Sequence, residues 1–76
     1  MERYYFDTYD GENFHRDENG QEVTREELRR QAIASLPEMA TDELPDGDYR
    51  VFRVKVRDEG GTYVFEASLT YDGGWL

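Results

Sequence analysis

The chain has 76 residues, with 18 acids against 9 Lys and Arg, one histidine and no cysteine, for a formal net charge of -9. That length admits one domain, and the absence of cysteine excludes a disulfide framework, a thiolate zinc site and a thiol nucleophile. The acidity argues against nucleic acid and anionic lipid, which reward clustered Lys and Arg, and leaves a basic protein, a cation or plain solubility.

Tyr4 to Tyr9 alternates, with Tyr4, Phe6 and Thr8 on one side and Tyr5, Asp7 and Tyr9 on the other, which predicts a half-buried strand. Asp10-Gly11 is a hairpin turn signal. Asn13 to Arg16 is expected to return as a short strand, with Phe14 as its apolar contact. Asp17-Glu18-Asn19-Gly20 then reads as a second turn.

Thr24-Arg25-Glu26-Glu27 fits a capping box, and Val23 with Leu28 fits a hydrophobic staple. A helix is predicted to start at Arg25. Its stripe is Leu28, Ala32, Leu36, Ala40 and Leu44, widened by Ile33 and Met39. Pro37 interrupts it, and an interior proline costs ~3 kcal/mol or more. Either the chain breaks there, with Pro37 in the first turn of a second helix, or one helix kinks. The stripe keeps its four-residue spacing across Pro37, which favours one kinked helix from about Arg25 to Glu43.

Leu44 to Asp48 reads as a loop. Tyr49 to Arg57 alternates, with Phe52, Val54 and Val56 on one face and Val51, Arg53, Lys55 and Arg57 on the other. After a turn at Asp58-Glu59-Gly60-Gly61, Thr62 to Tyr71 places Tyr63, Phe65, Ala67 and Leu69 on one face and Val64, Glu66, Ser68 and Thr70 opposite. The hairpin register keeps Phe52, Val54 and Val56 on the face of Phe65 and Ala67. The fold class is therefore α+β in the order β-β-α-β-β: a four-stranded, mainly antiparallel sheet with one helix packed on one face. The single domain is expected over residues 1–72, with 73–76 as a loose tail.

Arg3-Tyr4-Tyr5-Phe6-Asp7, Asp10-Gly11 and Asp17-Glu18-Asn19-Gly20-Gln21-Glu22 resemble the opening of a family of small uncharacterised bacterial proteins, a domain of unknown function. Its members begin R-Y-[FY]-F, then a D-G turn and D-x-x-G-x-E before an Ala- and Arg-rich helix. Asp42 to Gly47 and Val56 to Gly61 fit its later half. The resemblance spans nearly the whole chain and rests on turns and core positions, so it implies a fold and carries no catalytic residues. Pro37 departs from the family's unbroken helix.

Hydrophobic residues at 37% beside charged residues at 36% can mean disorder, but aromatics at 14% oppose that and point to a small aromatic-rich core. A chain this short buries only ~60% of its unfolded surface, and its stability should be on the order of 4–11 kcal/mol. A second copy would add to that, so a homodimer is expected. A signal peptide pattern and an apolar run of ~18 residues are both missing, so a cytoplasmic protein without membrane contact is expected.

Three candidate sites follow. Aligned to a calcium loop, His15, Asp17, Asn19, Gly20 and Glu26 fall at the first, third, fifth, sixth and twelfth positions. His15 replaces the first carboxylate, no helix enters, and Glu22 stands where an apolar residue belongs, so a turn before a capped helix is the better reading. Asp7 and Asp10 could form an acid/base pair, but with 18 acids some must lie close by chance, and a domain this small has little room for a substrate pocket. An enzyme is not expected, nor a cofactor. The third is the outer sheet face, where Tyr5, Tyr9, Val51, Arg53, Lys55, Val64 and Glu66 would lie, rich in the Tyr and Arg of binding hot spots. The expected function is a small non-catalytic protein-interaction module that self-associates through this face or an edge strand. Alternatives are an antitoxin-like regulator of a basic partner and a divalent-cation binder.

Overall fold

The computed structural model describes residues 2–43 and 49–76. The strands are β1 (Glu2–Tyr9), β2 (Phe14–His15), β3 (Gln21–Val23), β4 (Tyr49–Arg57) and β5 (Tyr63–Asp72), with one helix, α1 (Arg25–Glu43), between β3 and β4. The sheet order is β2-β1-β4-β5, all pairs antiparallel, and β3 also pairs with β1. The α+β architecture with one helix on an antiparallel sheet is the one expected. The sheet gains a short further strand, β3, in a segment whose polar sequence reads as turn and helix approach. It forms because the chain returning along β1 from β2 resumes its pairing after the 16–20 loop, where Gln21 to Val23 satisfy the backbone groups of Glu2 to Tyr4 on that same edge.

The core is Tyr4, Val23, Leu28, Ala32, Leu36, Phe52, Val54 and Val56, with Phe6, Met39, Ala40, Val64, Phe65 and Ala67 packed against it. Leu28, Ala32 and Leu36 recur every fourth residue, so one helical stripe meets β4 and β5. Ile33 does not widen that stripe: it is 40% exposed. Position 44 and the expected 44–48 loop lie outside the described residues. At the helix start the Glu27 amide donates to Thr24 Oγ1 at 3.2 Å, and Val23 and Leu28 are both buried, as a cap and staple require.

Pro37 sits inside one continuous helix. Both Pro37 and Ile33 are exposed, so the Ile33 carbonyl that loses its helical partner at Pro37 lies on the water-facing side. Solvation there lets the helix run through a residue that would otherwise break it.

The β4–β5 register contains a bulge: Val56 faces Phe65, but Arg57 faces Tyr63, so Val64 is the extra residue. The bulge turns Val64 inward against the core and sends Tyr63 to the opposite face. Strict alternation predicts the reverse for both, and for Val64 this corrects the expected outer-face position. Beyond β5, Trp75 and Leu76 stand fully exposed.

Candidate functional site

The sheet face away from α1 carries Tyr5, Asp7 and Tyr9 from β1, Val51, Arg53, Lys55 and Arg57 from β4, and Tyr63 and Glu66 from β5. Of the expected set Tyr5, Tyr9, Val51, Arg53, Lys55 and Glu66 share this face, and Val64 does not. Arg53 meets Glu66 at 3.9 Å with both side chains about half exposed, at 48% and 52%. Such a pair is worth little in water. The Lys55 ammonium lies 4.3 Å above the Tyr63 ring and the Arg57 guanidinium 4.5 Å above Tyr5, so each aromatic carries a cation.

At the other end of the face lie two exposed aromatics outside the expected set, Phe14 and Tyr49. Phe14 is 55% exposed and stands opposite Tyr9, itself 37% exposed. It is not the apolar contact expected of it, because the helix covers only the far side of the sheet. Tyr49 is 65% exposed. Tyr9, Tyr49, Val51 and Arg53 line a shallow groove with Gly11 and Glu12 at its rim. Arg50 holds that rim in place: its Nε donates to the Asp10 carbonyl at 2.6 Å. Gly11, at φ 99°, lies so near Arg50 that a Cβ would come within 2.7 Å of its Nε.

The middle of the face is a buried polar cluster. Asp7 is 1% exposed and Arg57 7%. Arg57 Nε donates to Asp7 Oδ2 at 3.0 Å, and the Tyr63 hydroxyl donates to the same oxygen at 2.8 Å. The Asp17 amide donates to Asp7 Oδ1 at 2.9 Å, while Arg57 also donates to the Asp17 carbonyl. The local cause lies in the returning chain. Between Thr8 and Tyr4, β1 has Tyr5, Phe6 and Asp7, whereas the chain facing them runs from Arg16 to Gly20 and must loop outward. The Asp17 carboxylate fills the gap, accepting from the Phe6 amide at 3.0 Å and from Asn19 and Gly20 at 3.1 and 3.2 Å. Gly20, at φ 70°, has no room for a Cβ, which would meet the Tyr5 ring at 2.9 Å.

These contacts set the ionisation of the carboxyls. Burial alone pushes Asp7 up, but the Arg57 hydrogen bonds, the Asp17 amide and the Tyr63 hydroxyl outweigh it and hold Asp7 below the ordinary value. Burial likewise raises Asp17, and its amide donors from Phe6, Gly20 and Asn19 bring it below. Asp10 is lowered by the Asn13 and Glu12 amides, which it accepts at 2.7 and 2.9 Å. The Asp7 hydrogen bond raises the Tyr63 phenol and the Arg57 guanidinium. Asp7 and Asp10 thus serve separate networks as fixed anions, and neither has the raised value of a general acid. In the calcium-loop alignment, both Asp17 oxygens face backbone amides. Among the described residues no group of three or more His, Asp or Glu is arranged to hold a metal ion.

A family model described as a domain of unknown function, DUF6894, matches residues 3–70. The chain belongs to this family. The match spans β1 to most of β5 and so covers the Asp7–Arg57–Asp17–Tyr63 cluster and the outer face of this DUF6894 protein. No curated protein and no solved structure matches the chain. No helix among the described residues is long and apolar enough to cross a membrane.

Proposed function

We propose that this DUF6894 domain is a small non-catalytic protein-interaction module of the cytoplasm that self-associates. The observation that carries the reading is the one-sided sheet. The described helix lies on one face, and the other leaves Phe14, Tyr9 and Tyr49 in water beside Arg53. Exposed Tyr and Arg over a rigid sheet are what binding surfaces are enriched in. The carboxyls support the non-catalytic part, since Asp7, Asp10 and Asp17 are each occupied in holding turns.

Size-exclusion chromatography with light scattering tests the reading. At tens of micromolar the expected mass is twice the 9.0 kDa chain. A single-chain mass at that concentration sinks it.

A further inference from the structure

The β5 strand ends the sheet. Among the described residues it pairs with β4 on one side and with nothing on the other, over ten residues. Natural edge strands are guarded by proline, by lysine, by bulges or by being short. From Phe65 to Asp72 this strand has no Pro and no Lys, its charges are Glu66 and, at its end, Asp72, and its bulge lies at the Val64 end. Leu69, on the helix side, stays 39% exposed at this edge.

The charge distribution says what can meet the edge. Residues 1–48 carry 14 acids and 5 bases, while residues 49–76 carry 4 of each. The β2 and β3 edge lies in the acidic part, so two copies approaching there repel. The β5 edge lies in the neutral part. β5 itself carries Glu66 and Asp72 and no base, but β4 beside it supplies the balancing cations, with Arg53 at 3.9 Å from Glu66. A second copy therefore meets less like charge there than at the acidic edge.

We propose that two copies pair antiparallel through β5, about a two-fold axis at Ser68, to make one continuous sheet. This rests on the self-association reading and narrows it to an edge. A two-fold axis perpendicular to the sheet keeps both helices on one face and sets a residue opposite itself. An axis at Glu66 opposes two Glu66 carboxylates, and one at Leu69 opposes Glu66 to Asp72 twice; like charges directly opposite are unfavourable. The Ser68 axis avoids both. It places Phe65 against Tyr71, Ala67 against Leu69 and Glu66 against Thr70 of the second copy, and it covers the exposed Leu69. The small Ser68 side chains meet at the centre, and the bulged Val64 stays outside the Phe65 to Tyr71 run.

The chain has no cysteine, so Ser68→Cys introduces one thiol. Ser68 is exposed and its replacement leaves the core intact. Directly opposed residues on antiparallel strands lie within disulfide reach. Under mild oxidation Ser68→Cys should run almost entirely as a covalent dimer, and Tyr9→Cys, on the outer face, as a single chain. Leu69→Lys should yield a folded single chain by circular dichroism and light scattering. If the wild type has a two-chain mass but Ser68→Cys links no better than Tyr9→Cys, β5 pairing is overturned and self-association stands on another surface. A single-chain wild type overturns both. A mass above two chains also overturns the axis, because pairing uses up the β5 edge.

Discussion

Arg57 is buried over its Asp7 partner, and neutralising that partner leaves a buried guanidinium without its counter-charge, held only by the Asp17 carbonyl and the Tyr5 ring. Asp7→Asn should therefore lower the unfolding free energy by about 2–3 kcal/mol in urea titrations, the scale of hydrogen bonds to charged groups. That is a large fraction of the 4–11 kcal/mol on the order expected for the whole domain. Tyr63→Phe removes one donor to the same oxygen and should cost less. A neutral Asp7→Asn variant would mean that the 16–20 loop does not depend on this pair. The same carboxyls determine the acid limb. Asp7, Asp10 and Asp17 all sit below the ordinary 3.8 in the folded chain. A carboxyl lowered by folding stabilises fully above its unfolded value and loses that contribution as pH falls through its folded value. Urea midpoints should be flat from about pH 7 to about pH 5 and fall below about pH 4. In Asp7→Asn the fall should be shallower.

At the scale of elements, α1 shows local and tertiary rules acting together. Its cap at Thr24 is a local device, and Thr24→Ala should cost about 1 kcal/mol. Pro37 is tolerated because its turn faces water, so Pro37→Ala restores a hydrogen bond without disturbing packing. It should raise stability by about 1–3 kcal/mol, read as a later urea midpoint with an unchanged m-value. A loss of stability would show that the proline shapes the packing of Met39 and Ala40 on the core. While β1 starts two residues before the expected Tyr4, at Glu2, its end and the bounds of α1 and β4 were legible because their periods of four and two residues run on. The strand β3 was not: Gln21-Glu22-Val23 has no period to read, and its pairing partner lies on β1. The bulge at Val64 was equally hidden, since one extra residue reverses the faces of Val64 and Tyr63 without any local mark.

For the whole molecule, the balance lies between a net charge of -9 and a neutral final hairpin. Two copies brought together through their β5 edges, as proposed, would repel at long range even with no like charges directly opposed. Raising salt shortens that repulsion, with a screening length of about 10 Å at 0.1 M. Self-association should therefore strengthen between low and moderate ionic strength, measured as a lower dimer dissociation constant by sedimentation. Weakening with salt would instead indicate ion pairs between the copies, such as the exposed Arg53 of one copy against an acidic part of the other.

The amino-acid sequence by itself determined the element order apart from β3, the helix start, the buried stripe, the β4–β5 hairpin and the family. Each of these is written in local spacing: every second residue, every fourth, or a turn dipeptide. Only the tertiary structure decided the roles of Asp7, Asp17, Arg57 and Tyr63, which come together across as many as 56 positions of chain. A buried carboxylate and a solvated one are the same letter. Which of 18 acids would be enclosed depended on where a returning strand had to loop outward and on a single bulge in β5, two strands further across the sheet from β1.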